Sequence, residues 1–237
     1  MDKHIVSFSG GKDSTAMLLM MIEKNMRIDE IIFCDTGMEF PSMYDHIKKV
    51  ENLINRRITI LKSEKDFEYM MLEHRKIKGK NKGKQGYAWP SMMNRWCTSY
   101  LKQDVVRKYL KQYKEFNVIE YHGIAFDEPK RVEKNNKKNV IYPLFEWGIT
   151  ENMALEYCYS KGLDWNGLYK EFKRVSCWCC PLKSLKELKT LYLNHNDLWE
   201  RLKLLDSKSW NNFRNDYTLE QLEERFILEE QQIKFLI

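Results

Sequence analysis

The hexapeptide Ser9-Gly10-Gly11-Lys12-Asp13-Ser14 lies between an apolar run and an amphipathic one, and its residue types suit the capture of an anion. Two glycines let the backbone turn tightly and come close to a ligand. Peptide N–H groups and the positive end of a following helix then converge on one point. Lys12 adds a point charge, and Ser9 and Ser14 add hydroxyl donors. The spacing is not that of a Walker A loop, which needs four residues between its first glycine and Gly-Lys. An ordinary strand-to-helix turn also uses glycine and an Asp or Ser cap, but it has no packing use for the lysine.

A second polar cluster, Asp35-Thr36-Gly37-Met38-Glu39, ends the apolar run Ile31-Ile32-Phe33-Cys34. In an open α/β sheet, ligands sit beyond the carboxyl ends of adjacent strands, which puts Asp35 and Thr36 near the first loop. The alternative is a capped turn in which Asp35 serves backbone amides. The third cluster is Cys177-Trp178-Cys179-Cys180-Pro181, in which Cys177 and Cys180 form a CxxC pair. Two sulfurs at that spacing can bind zinc, bind an iron–sulfur cluster or do thiol redox chemistry. Cys97 and Cys179 bring the thiolates to four, enough for a [4Fe–4S] cluster or a closed zinc site. Adjacent cysteines often point apart, so three sulfurs with an open iron are an equal alternative, and buried reduced thiols are another. Cys34 and Cys158 are expected in the core.

These groups need a scaffold, and the first 145 residues supply its pattern: short β-branched runs alternate with amphipathic stretches, as in a parallel sheet flanked by helices. Strands are expected at His4 to Ser9, Glu30 to Asp35, Arg57 to Lys62, Asn117 to Gly123 and Asn139 to Tyr142. Helices are expected at Asp13 to Asn25 and Pro41 to Asn55. The expected fold is α/β, a doubly wound, mainly parallel five-stranded sheet. From residue 146 to 237, helices at Thr150 to Lys161, Leu182 to His195, Asp197 to Leu205 and Thr218 to Phe235 form a C-terminal helical region carrying the cysteine cluster. Thr218 and Gln221 fit a capping box. The segments 75–90 and Lys130 to Asn139 read as disordered or ligand-ordered loops.

The chain has 237 residues, 43% of them hydrophobic and 31% charged, which suits a globular protein and excludes collagen, repeat arrays and wholesale disorder. The start MDKHIVSFSGG has no signal-peptide layout and no apolar run is long enough to span a bilayer, so no membrane association and a cytoplasmic location are expected. In that reducing compartment the six cysteines are not a disulfide framework. The net charge of +6 is modest, but Arg75 to Lys84 holds six cations in ten residues. With Tyr87, Trp89 and Trp96 close behind, this stretch has the make-up of a nucleic-acid surface; buried tryptophans and solvated lysines are the plainer alternative.

The run SFSGGKDS resembles the SGGxDS pyrophosphate-binding loop of the PP-loop ATP pyrophosphatase superfamily, also described as adenine-nucleotide alpha-hydrolase-like. Within it, the chain looks like the phosphoadenosine phosphosulfate (PAPS) reductase family, which includes sulfur-transfer enzymes acting on nucleic acids. Asp35 to Pro41 resembles the family's D-T-G-x-x-F/L-P run. Gly123 to Arg131 resembles its G-x-R-x-D/E-E-S-x-x-R contact segment, with Ala125 where an arginine is common. KRVSCWCCPL resembles GFxRxGCxxCP, with Ser176 in place of glycine, and NRWCTSYLK resembles the R-x-C-x-x-x-x-K element that completes ligation in iron–sulfur members. The resemblance implies that Ser9 to Ser14, Asp35, Thr36, Glu39, Gly123 and Arg131 hold an adenine nucleotide. It implies Lys12 and Asp13 as catalytic groups, and Cys97, Cys177, Cys180 and Cys179 as metal ligands.

By this resemblance, Mg²⁺-bound ATP sits on the glycine loop, an acceptor oxygen attacks the α-phosphate, pyrophosphate leaves, and sulfur displaces the adenylated oxygen. The reductases carry a tail cysteine in E-C-G-L-H, and the iron–sulfur reductases a Cys-Cys pair. Here no cysteine follows Cys180, and Cys97 stands alone. A tRNA base or DNA backbone as acceptor would suit the basic loop, with a sulfur-donor protein as a further partner. The alternatives are a sulfonucleotide reductase releasing sulfite from PAPS or adenylyl sulfate, and a non-catalytic nucleotide-binding subunit with structural Zn²⁺.

Overall fold

Each of the first three strands is followed by a helix because the apolar period switches from two to about 3.6 at a polar turn. In the computed structural model, which describes residues 1–77, 82–134 and 137–235, the elements run β1 (Asp2–Ser7), α1 (Lys12–Glu23), β2 (Glu30–Asp35), α2 (Pro41–Ile54), β3 (Thr59–Lys62) and α3 (Phe67–Leu72). The chain continues through α4 (Trp96–Thr98), a π-helical turn (Ser99–Gln103), α5 (Asp104–Leu110), β4 (Asn117–His122), α6 (Pro129–Lys134), β5 (Val140–Ile141) and α7 (Pro143–Glu146). The last third holds α8 (Glu151–Ser160), a 3-10 turn (Trp165–Gly167), α9 (Leu168–Glu171), α10 (Leu185–Asn194), α11 (Asn196–Lys208) and α12 (Leu219–Phe235).

The five strands form one all-parallel sheet in the order β3-β2-β1-β4-β5. The order reverses at β1, so the sheet is doubly wound, as its sequence pattern predicts, and the ends of β1, β2 and β4 open on one edge. Strand residues alternate between two cores. Val6, Ile31 and Phe33 face α1 and α2, whereas Ile5, Ile32 and Leu61 face Val105, Val106 and Tyr109 of α5. The larger core continues into Trp199, Leu202, Leu222 and Phe226 of the C-terminal helices, so residues 1–145 and 146–237 share one buried interior. Among the described residues, no helix is long and apolar enough to cross a membrane.

Several elements depart from the sequence expectation, among them the short helices α3, α7 and α9, which were not expected. The helical run from Trp96 to Leu110 was not expected, and its period is broken by the π turn in its middle. The polar stretch Lys130 to Asn139 is helical in α6 up to Lys134, because Pro129 starts that turn with its φ already fixed. The expected capping box is present, with Thr218 and Gln221 exchanging backbone and side-chain bonds of 3.0 and 3.3 Å, and Thr150 Oγ1 caps α8 by accepting the Met153 N–H.

Candidate functional site

The glycine loop leaves β1 and enters α1 through Gly10, which adopts φ +76°, a conformation glycine takes without strain. Around it the serine hydroxyls brace one another at 2.9 Å, and Ser14 Oγ accepts the Ser9 N–H at 3.1 Å and donates to Gly11 O at 3.0 Å. Gly123, at the end of β4, packs behind this turn: a Cβ there would come within 2.7 Å of Ser14 N. Its visible role is to let β4 pass against α1.

Lys12 is buried, with its ammonium 3.0 Å from Glu151 Oε2 and 3.5 Å from Asp13 Oδ2. Asp13 presents its other oxygen, Oδ1, as a buried atom with no partner. Burial raises its pKa to about 6 against the pull of Lys12, and the negative charges of Glu151 and Glu128 push the same way. Two carboxyl groups thus meet one lysine at the mouth of the loop, with Glu128 within electrostatic reach of Asp13. Glu128 also holds Arg131 in an ion pair on α6, which ties the β4 segment to this cluster. Ala125, where the family commonly has arginine, is fully buried.

At the end of β2, both carboxylate oxygens of Asp35 have partners within the protein. Its Oδ1 accepts from Gly37 N–H and Tyr44 O–H, each at 2.8 Å, and Oδ2 meets Lys62 Nζ at 2.8 Å. Burial opposes ionisation, but the Lys62, Gly37 and Tyr44 donors outweigh it and hold the carboxyl below its ordinary range. This is the capped-turn arrangement. Thr36 donates both its N–H, at 3.1 Å, and its O–H, at 2.9 Å, to Glu39. Glu39 in turn lies 3.6 Å from Lys102 Nζ and forms a backbone bridge with Cys177.

That bridge docks the cysteine segment on the β2 turn, and Trp178 N–H donates to Met38 O at 3.0 Å. Upstream, Val175 O stands 4.0 Å from where a Gly11 Cβ would be, so the same segment runs near the glycine loop. Downstream, Arg214 donates to Pro181 O at 3.1 Å and to Lys183 O at 2.8 Å, which fixes the chain after Cys180. Cys97 comes from α4 and lies within electrostatic reach of Cys180. Cys97, Cys177 and Cys180 are half-buried, whereas Cys179 is packed into the apolar core. Burial pushes the Cys177 thiol up to about 12 and raises Cys97 and Cys179 as well. Burial would lower Lys102, but the charges of Cys177, Glu39, Cys34 and Cys97 hold its pKa up. Lys183 is buried with its ammonium 4.6 Å from the Phe172 ring centre and 5.2 Å from that of Phe40. Among the described residues, no three His, Cys, Asp or Glu side chains converge as one metal ion would require.

Trp89 and Trp96 are each 2% exposed, so they are core residues and offer no face to a ligand. Positions 78–81 of the basic stretch lie outside the described residues. On either side of them, Lys76 N–H donates to Lys84 O at 3.0 Å, and the Lys76 and Lys84 ammoniums sit 4.5 and 4.7 Å from the Trp210 ring centre. Trp210 is 46% exposed, and Tyr87 O–H donates to Tyr100 beside it. Sequence reading passed over Glu151, Tyr44, Lys62, Trp165 and Tyr169, which reach the site only through folding. Lys102 had a signal, as the lysine of the R-x-C-x-x-x-x-K run.

The fold and site define a doubly wound α/β domain with a glycine loop at its switch point and a cysteine segment docked on the neighbouring β2 turn. The phosphoadenosine phosphosulfate reductase domain family matches residues 3–183, and the chain belongs to that family. An uncharacterized protein of Methanocaldococcus jannaschii is 27% identical over 223 residues, covering 90% of this chain and 42% of that protein. A second from the same organism is 32% identical over 186 residues, covering 74% of this chain and 40% of its own length. The chain thus spans about two fifths of these relatives. Among solved structures, the chain is similar to phosphoadenylyl-sulfate reductase from Candida auris in a phosphate complex (TM-score 0.48, 17% identity, 73% of this chain and 81% of that one). It is also similar to the U34-tRNA thiolase NcsA from Methanococcus maripaludis with its [4Fe–4S] cluster (TM-score 0.44, 17% identity, 86% and 68%).

Proposed function

We propose that this chain is an adenylating sulfurtransferase: it binds ATP on the glycine loop, releases pyrophosphate as an acceptor oxygen is adenylated, and replaces that oxygen with sulfur. One observation carries the reading. The cysteine segment bridges to the β2 turn at Cys177 and runs near the glycine loop at Val175, so half-buried thiols lie close to the loop at the edge of the sheet where β1 and β2 end. Nucleotide activation followed by sulfur handling uses both.

In this reading the ATP phosphates lie against Gly10 to Ser14, with the N-terminal amides of α1 and the Lys12 ammonium facing the charge that gathers on departing pyrophosphate. The unpartnered Asp13 Oδ1, crowded by Glu128 and Glu151, suits a Mg²⁺ ion that completes its shell with phosphate oxygens and water. Bound there, the ion neutralises phosphate charge. Asp35 acts through Tyr44 and Lys62, as a brace of the pocket wall rather than as a ligand. Cys97, Cys177 and Cys180 would hold a [4Fe–4S] cluster, with Cys179 left in the core. Such a cluster supplies an open iron at which sulfur can bind.

The acceptor in this proposal is a nucleic acid, approaching over Lys84, Trp210, Tyr87 and Tyr100, which offer cations beside exposed rings. A pyrophosphate-release assay tests the core of the reading. Lys12→Ala should lower turnover by about 10²-fold, the scale for removing a group that stabilises transition-state charge. Cys180→Ser should abolish sulfur incorporation, and undiminished turnover in both variants refutes the proposal.

A further inference from the structure

Segment 165–169 grips the glycine loop through two side chains. Trp165, fully buried, donates its indole N–H to Gly10 O at 2.7 Å. Tyr169 places its hydroxyl 2.8 Å from Lys12 N, accepting that N–H, and 3.3 Å from the point where a Gly11 Cβ would be. The two rings meet edge to face at 4.7 Å, and the Lys12 ammonium lies 5.7 Å from the Tyr169 ring centre. The backbone that presents them is strained: Trp165 and Asn166 have φ of +52° and +53°, which a bulky L-residue rarely adopts. Such strain persists only where surrounding contacts over-determine it. Here the contacts are those with the glycine loop and with His46, whose ring stacks on Trp165 at 4.2 Å.

The Lys12 N–H is one of the first-turn amides of α1 that have no partner within the helix and face an anion. In this structure a phenol oxygen holds it. That phenol has accepted one hydrogen bond, and among the described hydrogen bonds its own O–H has no acceptor. A hydroxyl that accepts from a helix N-terminus is polarised and becomes a better donor. Burial, followed by the charges of Asp13, Cys158 and Glu151, raises the Tyr169 pKa, so the proton stays on the oxygen across the working pH range.

We propose that Tyr169 is a phosphate ligand: its hydroxyl keeps the Lys12 N–H and donates its own proton to a nucleotide phosphate oxygen, extending the cradle by one donor. Trp165 acts through Gly10 and is a positioning residue. The proposal rests on the nucleotide-binding reading of the loop, and the measurement separates the two. Wild-type protein and Tyr169→Phe, which keeps the ring, are titrated with ATP, inorganic pyrophosphate and adenosine in the presence of Mg²⁺, and their thermal midpoints are compared. Tyr169→Phe should bind ATP and pyrophosphate about tenfold or more weakly, the scale of a hydrogen bond to a charged group, with adenosine binding close to wild type and the thermal midpoint lowered by no more than the loss of the one bond to Lys12 N–H. Unchanged or tighter ATP binding overturns the proposal, since the hydroxyl would then be a plug in the cradle; an equal loss for adenosine overturns it too. Failure of the wild type to bind ATP and pyrophosphate at all refutes the nucleotide reading instead. A second measurement needs no variant. Pyrophosphate should protect Tyr169 of the wild type from nitration by tetranitromethane, read by peptide mass, and unchanged or increased nitration overturns the proposal.

Discussion

His46 has a histidine's sequence and an apolar residue's environment. It is 1% exposed, stacked on Trp165, with Nε2 3.0 Å from Thr15 Oγ1 and Nδ1 unpartnered. Burial, aided by Lys49, pushes its pKa from 6.5 down to about 3. Unfolding lets the ring protonate near 6.5, so the unfolded chain gains a proton that the folded chain refuses. The stability His46 contributes is therefore present above pH 6.5 and is lost as pH falls toward 3, at about 1.4 kcal/mol per pH unit where the difference is complete. Urea unfolding at pH 7 and pH 5 should show a smaller acid loss in His46→Gln than in the wild type; equal losses would assign the slope to other groups. Asp35 teaches the same lesson from the other side. Its type and place at a strand end were legible, but whether it meets a ligand or its own turn depended on Tyr44 and Lys62, which the chain brings from nine and twenty-seven residues away.

Elements aim the site's side chains, and the caps decide where elements begin. Ser184 opens α10 through a full capping box: its hydroxyl accepts the Glu187 N–H at 3.2 Å, and the Glu187 carboxylate accepts the Ser184 N–H at 3.0 Å. Because this cap follows Cys180 and Lys183 directly, it sets the exit of the cysteine segment. Ser184→Ala should lower stability by about 1 kcal/mol, seen as a lower urea midpoint at unchanged m-value, and no shift would show the box to be idle. The π turn Ser99–Gln103 does comparable work for Cys97 and Lys102, because a wider turn resets which side chains share a face. No hydrophobic period marks such a turn. That is why the Trp96 to Leu110 helices escaped sequence reading while α1, α2 and α8, with unbroken spacing, did not.

At the scale of the molecule, one core runs from the sheet through the C-terminal helices, which holds Cys97 from the first part of the chain within electrostatic reach of Cys180 from the second. The net charge of +6 is not large, so the proposed nucleic-acid acceptor depends on where cations sit, beside Trp210 and Tyr87, more than on their sum. Fluorescence anisotropy with a labelled single-stranded RNA should give an affinity that falls with salt, each neutralised phosphate adding about −0.7 to the slope of log K against log salt concentration. A flat response would exclude this acceptor class.

By itself, the sequence determined the doubly wound sheet, the glycine turn after β1, the polar turn after β2 and the cysteine run, because periodicity, glycine conformation and cap chemistry are local and act over a few residues. Tertiary structure alone decided that Trp89 and Trp96 are buried, that Asp35 serves its own turn, that Cys179 turns inward while its neighbours do not, and that Tyr169 meets Lys12 across 157 residues of chain. These outcomes depend on which surfaces are removed from water together, and that is a property of the packed chain as a whole.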